Sequence, residues 1–147
     1  MDKKRYFELL SKEKALRAKD LVLDNVNPLE GDELRSYHII LEHQFFYQNR
    51  SQYIDLMQKC INGKINCWEV QWNFFEIYYD DLQILEEKMM SSNEDEINFD
   101  TDLKIENFSL LLQELHNICE FLDDLVTEDD FYLRLKKIYS DIQKYLE

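Results

Sequence analysis

An all-α fold is what this sequence predicts, and three observations predict it. Only two of the 147 residues are glycine and one is proline, too few turn residues for a sandwich or barrel of many short strands. Hydrophobic residues make up 45% and aromatics 14%, enough to bury a core in a chain of about one domain's length. Within candidate segments, apolar side chains recur three and four residues apart, which is helical spacing.

The elements follow in order. A first helix is expected from about Lys3 to Val22, with Tyr6, Leu9, Leu10, Leu16 and Leu21 as its apolar residues. Asn25-Val26-Asn27-Pro28 reads as a turn, because Pro28 biases Asn27 away from helix, and Gly31 reads as a further break. A second helix follows from about Asp32 to Tyr47, carried by Leu34, Tyr37, Leu41 and Phe45. Ser51 is a candidate N-cap for a helix over about Gln52 to Ile61, with Gly63 as its stop. Asn66 and Glu69 have the spacing of a capping box, opening a long helix to about Met90. After an acidic loop over residues 93–104, a fifth helix spans about Glu106 to Leu125. Thr127 then caps a last helix, Glu128 to Leu146, whose first-turn acids Glu128, Asp129 and Asp130 suit the positive end of its dipole. Its stripe is Phe131, Leu135, Ile138, Ile142 and Tyr145. One shared core is expected from Phe74, Ile77, Leu111, Leu115, Ile118, Leu135 and Ile138.

Several classes of function are excluded or disfavoured. The apolar runs are far shorter than a membrane span requires. The charged start Met1-Asp2-Lys3-Lys4-Arg5 has no apolar segment behind it, so secretion is not expected. Cys60, Cys67 and Cys119 are odd in number and lack CxxC spacing, which fits a reducing compartment and small core residues. His38 and His43 stand five apart, off the four-residue spacing of a helical zinc pair. His116 follows Glu114 by two residues, so the Glu-x-x-His pair of a di-iron bundle is missing. There is no glycine-rich phosphate loop and no serine or cysteine nucleophile with an obvious base. No catalytic residue, metal or cofactor is expected.

Charge is the informative feature. The formal net charge is −14, which disfavours nucleic acid and anionic membranes and favours basic partners. Residues 1–64 carry 11 basic and 10 acidic side chains, and residues 65–147 carry 6 and 21. On the long helix, Glu69, Asn73, Glu76, Asp80, Gln83 and Glu87 form one polar stripe, and Glu76 and Asp80 stand one turn apart with no intervening base. A solvated bundle face is the simpler reading of that stripe, and a surface for a cationic partner the sharper one. Trp68, Trp72, Phe75 and Tyr79 lie nearly opposite Val70, Phe74 and Ile77 on this helix, so core packing on both its sides is expected, with an exposed aromatic strip for a partner as the alternative. A cover for Trp68, Trp72 and Tyr79 is expected from residues 1–50, whose Tyr37, Leu41, Phe45 and Phe46 are too apolar for a free tail.

From Ser51 onward the chain resembles the colicin D-type immunity family, small helical inhibitors of bacterial tRNA-cleaving toxins. The residues that carry the resemblance are Ser51-Gln52-Tyr53-Ile54-Asp55-Leu56-Met57, Ile61-Asn62-Gly63-Lys64-Ile65, and Glu69-Val70 with Phe74, Asp80 and Asp81. Phe108-Ser109 leading to Leu112, Leu115 and Cys119, and Thr127-Glu128-Asp129-Asp130-Phe131, continue it. Val70 departs from it, standing where an aromatic is common. The resemblance covers about two-thirds of the chain and leaves out residues 1–50. It implies an antiparallel four-helix bundle over 51–147, with residues 1–50 as an additional N-terminal helical segment. It also implies an acidic inhibitor that occupies the basic active-site surface of a nuclease. The candidate partner-binding residues are Glu69, Glu76, Asp80, Asp81, Glu87, Glu128, Asp129 and Asp130. Phe, Tyr, Met, Ile, Asn and Lys supply 56 residues against two alanines, a skew that hints at an AT-rich genome. It suggests an orphan member of plastid or cyanobacterial origin, cytoplasmic or in the chloroplast stroma. There the alternative is a non-catalytic adaptor for a different basic protein.

Overall fold

The structure, a computed structural model, describes residues 1–146. Among these there are seven α-helices and no named strand: α1 (Lys3–Arg17), α2 (Leu23–Val26), α3 (Pro28–Gln48), α4 (Arg50–Ile61), α5 (Cys67–Ser91), α6 (Leu103–Glu120) and α7 (Glu128–Leu146). A single 3-10 turn, Glu94–Glu96, lies in the acidic loop. The all-α expectation holds. No helix of the described residues is long and apolar enough to cross a membrane.

Capping chemistry explains most of the helix ends. Asp2 accepts a hydrogen bond from the Lys4 amide at 2.9 Å and starts α1. The capping box of α5 forms reciprocally: the Glu69 amide donates to Asn66 Oδ1 at 2.9 Å, and the Asn66 amide to Glu69 Oε1 at 3.2 Å. Thr127 Oγ1 accepts from the Asp130 amide at 3.2 Å and caps α7. Gly63, at φ 74°, closes α4 in a Schellman turn, with the Lys64 amide on the Lys59 carbonyl at 2.9 Å and the Gly63 amide on Cys60 at 3.0 Å.

Elsewhere the ends differ from the sequence expectation, each for a local reason. Helix α1 stops at Arg17, because Asp20 turns into the left-handed region at φ 59° and the Leu21 amide returns to the Leu16 carbonyl. Leu21 is consequently exposed. Gly31 is not a break: α3 begins at Pro28, the favoured first helical position, and runs through the glycine. What Gly31 provides is close approach, since a Cβ there would lie 2.1 Å from Asp24 Oδ1 and 2.8 Å from Asp24 Cα. Ser51 is not a cap either, for α4 already starts at Arg50 behind Asn49. Helix α6 begins and ends earlier than expected: Asp102 accepts from the Ile105 amide at 3.0 Å, and Asp123, at φ 69°, turns the chain after Phe121. Tyr145 leaves the α7 stripe and is half exposed.

The chain forms two compact units, residues 1–42 with 83–101, and residues 43–82 with 102–147. This is not the expected division at residue 50. Helices α3 and α5 each contribute residues to both units. The first unit has its own core of Tyr6, Leu9, Leu10, Leu23, Leu34, Tyr37, Leu41 and Ile97, with Phe99, Met89 and Met90 packed against it. Residues 83–101 therefore complete a core for the N-terminal helices. In the second unit Phe74, Leu111, Leu115, Ile118, Leu135 and Ile138 share one buried core, as expected, and Ile77 packs on it half-buried.

Candidate functional site

The candidate surface is built on the part of α5 that belongs to the second unit. Val70 and Phe74 turn fully into the core, which fixes the rotation of the helix. The opposite arc then carries Glu69, Glu76 and Asp80, all exposed. Glu69 is engaged in the capping box. Among the described residues, the side chains of Glu76 and Asp80 make neither hydrogen bond nor ion pair.

The aromatic flank beside them overturns the expectation of a covered face. Trp72 is 75% exposed and Tyr79 58%. Tyr79 stacks on Phe75 at 5.8 Å between centroids, and Phe75 in turn meets the edge of His116 at 5.5 Å. The Trp72 side chain makes no hydrogen bond or ring contact among the described residues. Trp68 is exposed but tethered: its Nε1 donates to Glu128 Oε1 at 2.5 Å. The same carboxylate accepts a weak contact from Cys67 Sγ at 3.6 Å, while Tyr132 Oη accepts from the Cys67 amide at 2.9 Å. These bonds tie the start of α7 to the start of α5. Burial pushes the Cys67 and Tyr132 groups up from their ordinary values.

The predicted site residues thus separate. Glu69, Glu76 and Asp80 share one exposed face. Glu128 is brought to Trp68, and Asp129 and Asp130 are exposed beside it in the first turn of α7. Glu87 is exposed on α5 but belongs to the first unit. Asp81 is the error: it is 6% exposed and accepts from Tyr53 Oη at 2.7 Å and more weakly from Gln52 Nε2 at 3.4 Å. One residue beyond Asp80 is 100° around the helix, which turns Asp81 inward. Burial, followed by this bond, pushes the Tyr53 phenol up, so the pair is a protonated donor on a buried acceptor. Asp81 is an internal structural group, unavailable to a partner.

Sequence reasoning favoured a covered position for Trp72 and Tyr79 and held the exposed aromatic strip only as its alternative. The available signal was their spacing from Glu76, four residues before it and three after it, which puts the two rings beside the acid.

No other polar grouping competes as a site. The three cysteines are buried, and burial first raises each thiol, Cys60 to about 11. Among the described residues no group of three or more His, Cys, Asp or Glu is placed to hold a metal ion. A shallow groove of about 240 Å³ between α6 and α7 is lined by Arg134, Lys137, Glu114 and Asn117 over Ile118 and Ile138. Comparisons with protein-family models, with curated proteins and with solved structures find no match for this chain.

Proposed function

We propose that this protein is a non-catalytic acidic binding protein whose docking surface is the outward face of α5. One observation carries the reading: Glu76 and Asp80 stand exposed and, among the described residues, without a cation, directly beside exposed Trp72 and Tyr79. Bare acids attract a basic surface and speed encounter, and exposed Trp and Tyr are the residue types that anchor interfaces. The resemblance to the colicin D-type immunity family gives the partner class, a tRNA-cleaving nuclease domain whose phosphate-binding cations the acids occupy. In this reading α4 to α7 act as the family's antiparallel four-helix bundle, and the protein works in the cytoplasm or the chloroplast stroma. It engages protein rather than nucleic acid, membrane or cofactor. The test mixes the full chain with the tRNA-cleaving domain of a colicin D-type toxin and follows anticodon-loop cleavage. Cleavage should stop near equimolar protein; undiminished cleavage in excess protein rejects the inhibitor reading.

A second reading, an organellar or cytosolic adaptor for another basic protein, is favoured by the separate core of the first unit. It would retain the α5 face and lack the nuclease block.

A further inference from the structure

We infer that the α5 face recognises arginine in particular, through a niche formed by Trp72, Glu76, Tyr79 and Asp80. This rests on the α5 face being the docking surface and adds which basic side chain it selects.

The helix register makes the niche. Trp72 precedes Glu76 by four residues and Tyr79 follows it by three, so both rings are surface neighbours of that carboxylate. Asp80 lies one turn beyond Glu76 on the same arc. The two rings differ in freedom. Tyr79 is held against Phe75, nearly parallel at 17°, which leaves its other face outward. Trp72 is more exposed and touches no other ring among the described residues. A pinned ring, an exposed ring without ring contacts and two uncompensated carboxylates therefore share one exposed patch of helix.

Such a patch is costly to leave in water, because Trp and Tyr present large apolar faces. A purely apolar occupant would cover the rings but strip water from Glu76 and Asp80 without pairing them. A lysine would pair a carboxylate as a compact, strongly hydrated point charge. Arginine alone satisfies both halves: its guanidinium lies flat on an aromatic face while its edge donates in a fork to a carboxylate. The occupant is thus an arginine-bearing segment of a basic protein.

The test uses two peptides of equal length and charge, alternating arginine with glycine and lysine with glycine, titrated into the full chain at low salt. The two indole N–H signals report separately on Trp68 and Trp72. The arginine peptide should bind about three- to fivefold more tightly, with the Trp72 signal moving more than that of Trp68. Trp72→Leu, at an exposed position, should remove that preference, bringing the arginine peptide down to about the affinity of the lysine peptide for the same variant. Equal affinity for both peptides overturns arginine selection while leaving the acidic docking face intact. Failure of both peptides to bind overturns the niche itself, and the nuclease assay then judges the docking face independently. An arginine preference that survives in Trp72→Leu also overturns the niche.

Discussion

Residues 1–42 with 83–101 hold nine Lys or Arg and fifteen Asp or Glu, whereas residues 43–82 with 102–147 hold eight and sixteen. The two units are close in charge, yet they use their acids differently. In the first, Arg5 bridges Glu8, Glu30 and Glu33, Lys12 joins Glu30, Arg17 joins Glu13 and Glu86, and Arg35 joins Asp24 and Asp32. Arg5 holds Glu33 below the usual carboxylate range, and Lys12, ahead of Arg5, does the same for Glu30. Even buried Glu13 is fully used, accepting from Arg17 and from the Leu23 amide at the start of α2. In the second unit Glu76 and Asp80 have no such partner among the described residues. The contrast teaches that net charge does not locate a binding surface. What sets Glu76 and Asp80 apart is that they lack a cation among the described residues and stand beside the exposed rings of Trp72 and Tyr79.

The largest effect that could break this comparison lies in the cores. Leu115 is fully buried in the second unit, so Leu115→Ala should lower stability in urea unfolding by about 2–5 kcal/mol. A loss under about 0.5 kcal/mol would mean that the unit is not held by this core. Leu9, equally buried in the first unit, should show a loss in the same range.

Next in size is Gly31→Ala. The new methyl would meet the Asp24 side chain and Cα, forcing α2 away from α3 and loosening the 2.6 Å Asp24–Arg35 pair. Overpacking of this kind costs about 1–3 kcal/mol, offset in part by a helix-propensity gain of about 1 kcal/mol. A net loss is expected in urea unfolding, and a net gain would show that α2 yields freely.

Much of this was legible in the sequence, and the failures have separate causes. Local signals worked: the capping box at Asn66, the stop at Gly63, the cap at Thr127 and the buried periodicity of α6 and α7. All involve residues within a few positions of one another. Nothing local could reveal that Ile97 and Phe99, inside an acidic loop, finish the core begun by Tyr6 and Tyr37 about 60 to 90 residues earlier. The apparent charge boundary after residue 64 therefore dissolved in the folded units. For the candidate site, the acids Glu76 and Asp80 were readable from helical phase. Asp81 entered only with the family resemblance; the helical phase that groups Glu76 with Asp80 leaves it off their stripe. For Trp72 and Tyr79 the covered reading was favoured over the exposed strip because hydrophobicity assigns a ring to the core, while only tertiary packing decides which flank of a helix is covered.

A smaller effect separates the units by pH. His38 is half-buried in the first unit, with Tyr6 Oη 3.2 Å from its Nε2. Burial, then repulsion by Arg17, lowers its proton affinity below the usual imidazole value of 6.5, with Glu13 opposing. As pH falls through 6.5, the unfolded chain takes up the proton before the folded one. This contribution to stability is therefore complete above about pH 6.5 and is lost as pH falls toward the lower folded value. His38→Gln should flatten the stability profile in that window, read by urea unfolding at several pH values. An unchanged slope would show that His38 is not its source.

The most direct measurement neutralises acids in one unit at a time and compares urea midpoints at low salt. Glu30→Gln with Glu33→Gln removes partners of Arg5 and Lys12, and should lower the midpoint. Glu76→Gln with Asp80→Asn removes no pair and relieves repulsion across one helical turn, so the midpoint should stay or rise slightly, by a few tenths of a kcal/mol at most. A clear loss of stability from the Glu76 and Asp80 changes would contradict the account, because those acids would then be holding the fold rather than standing open to a partner.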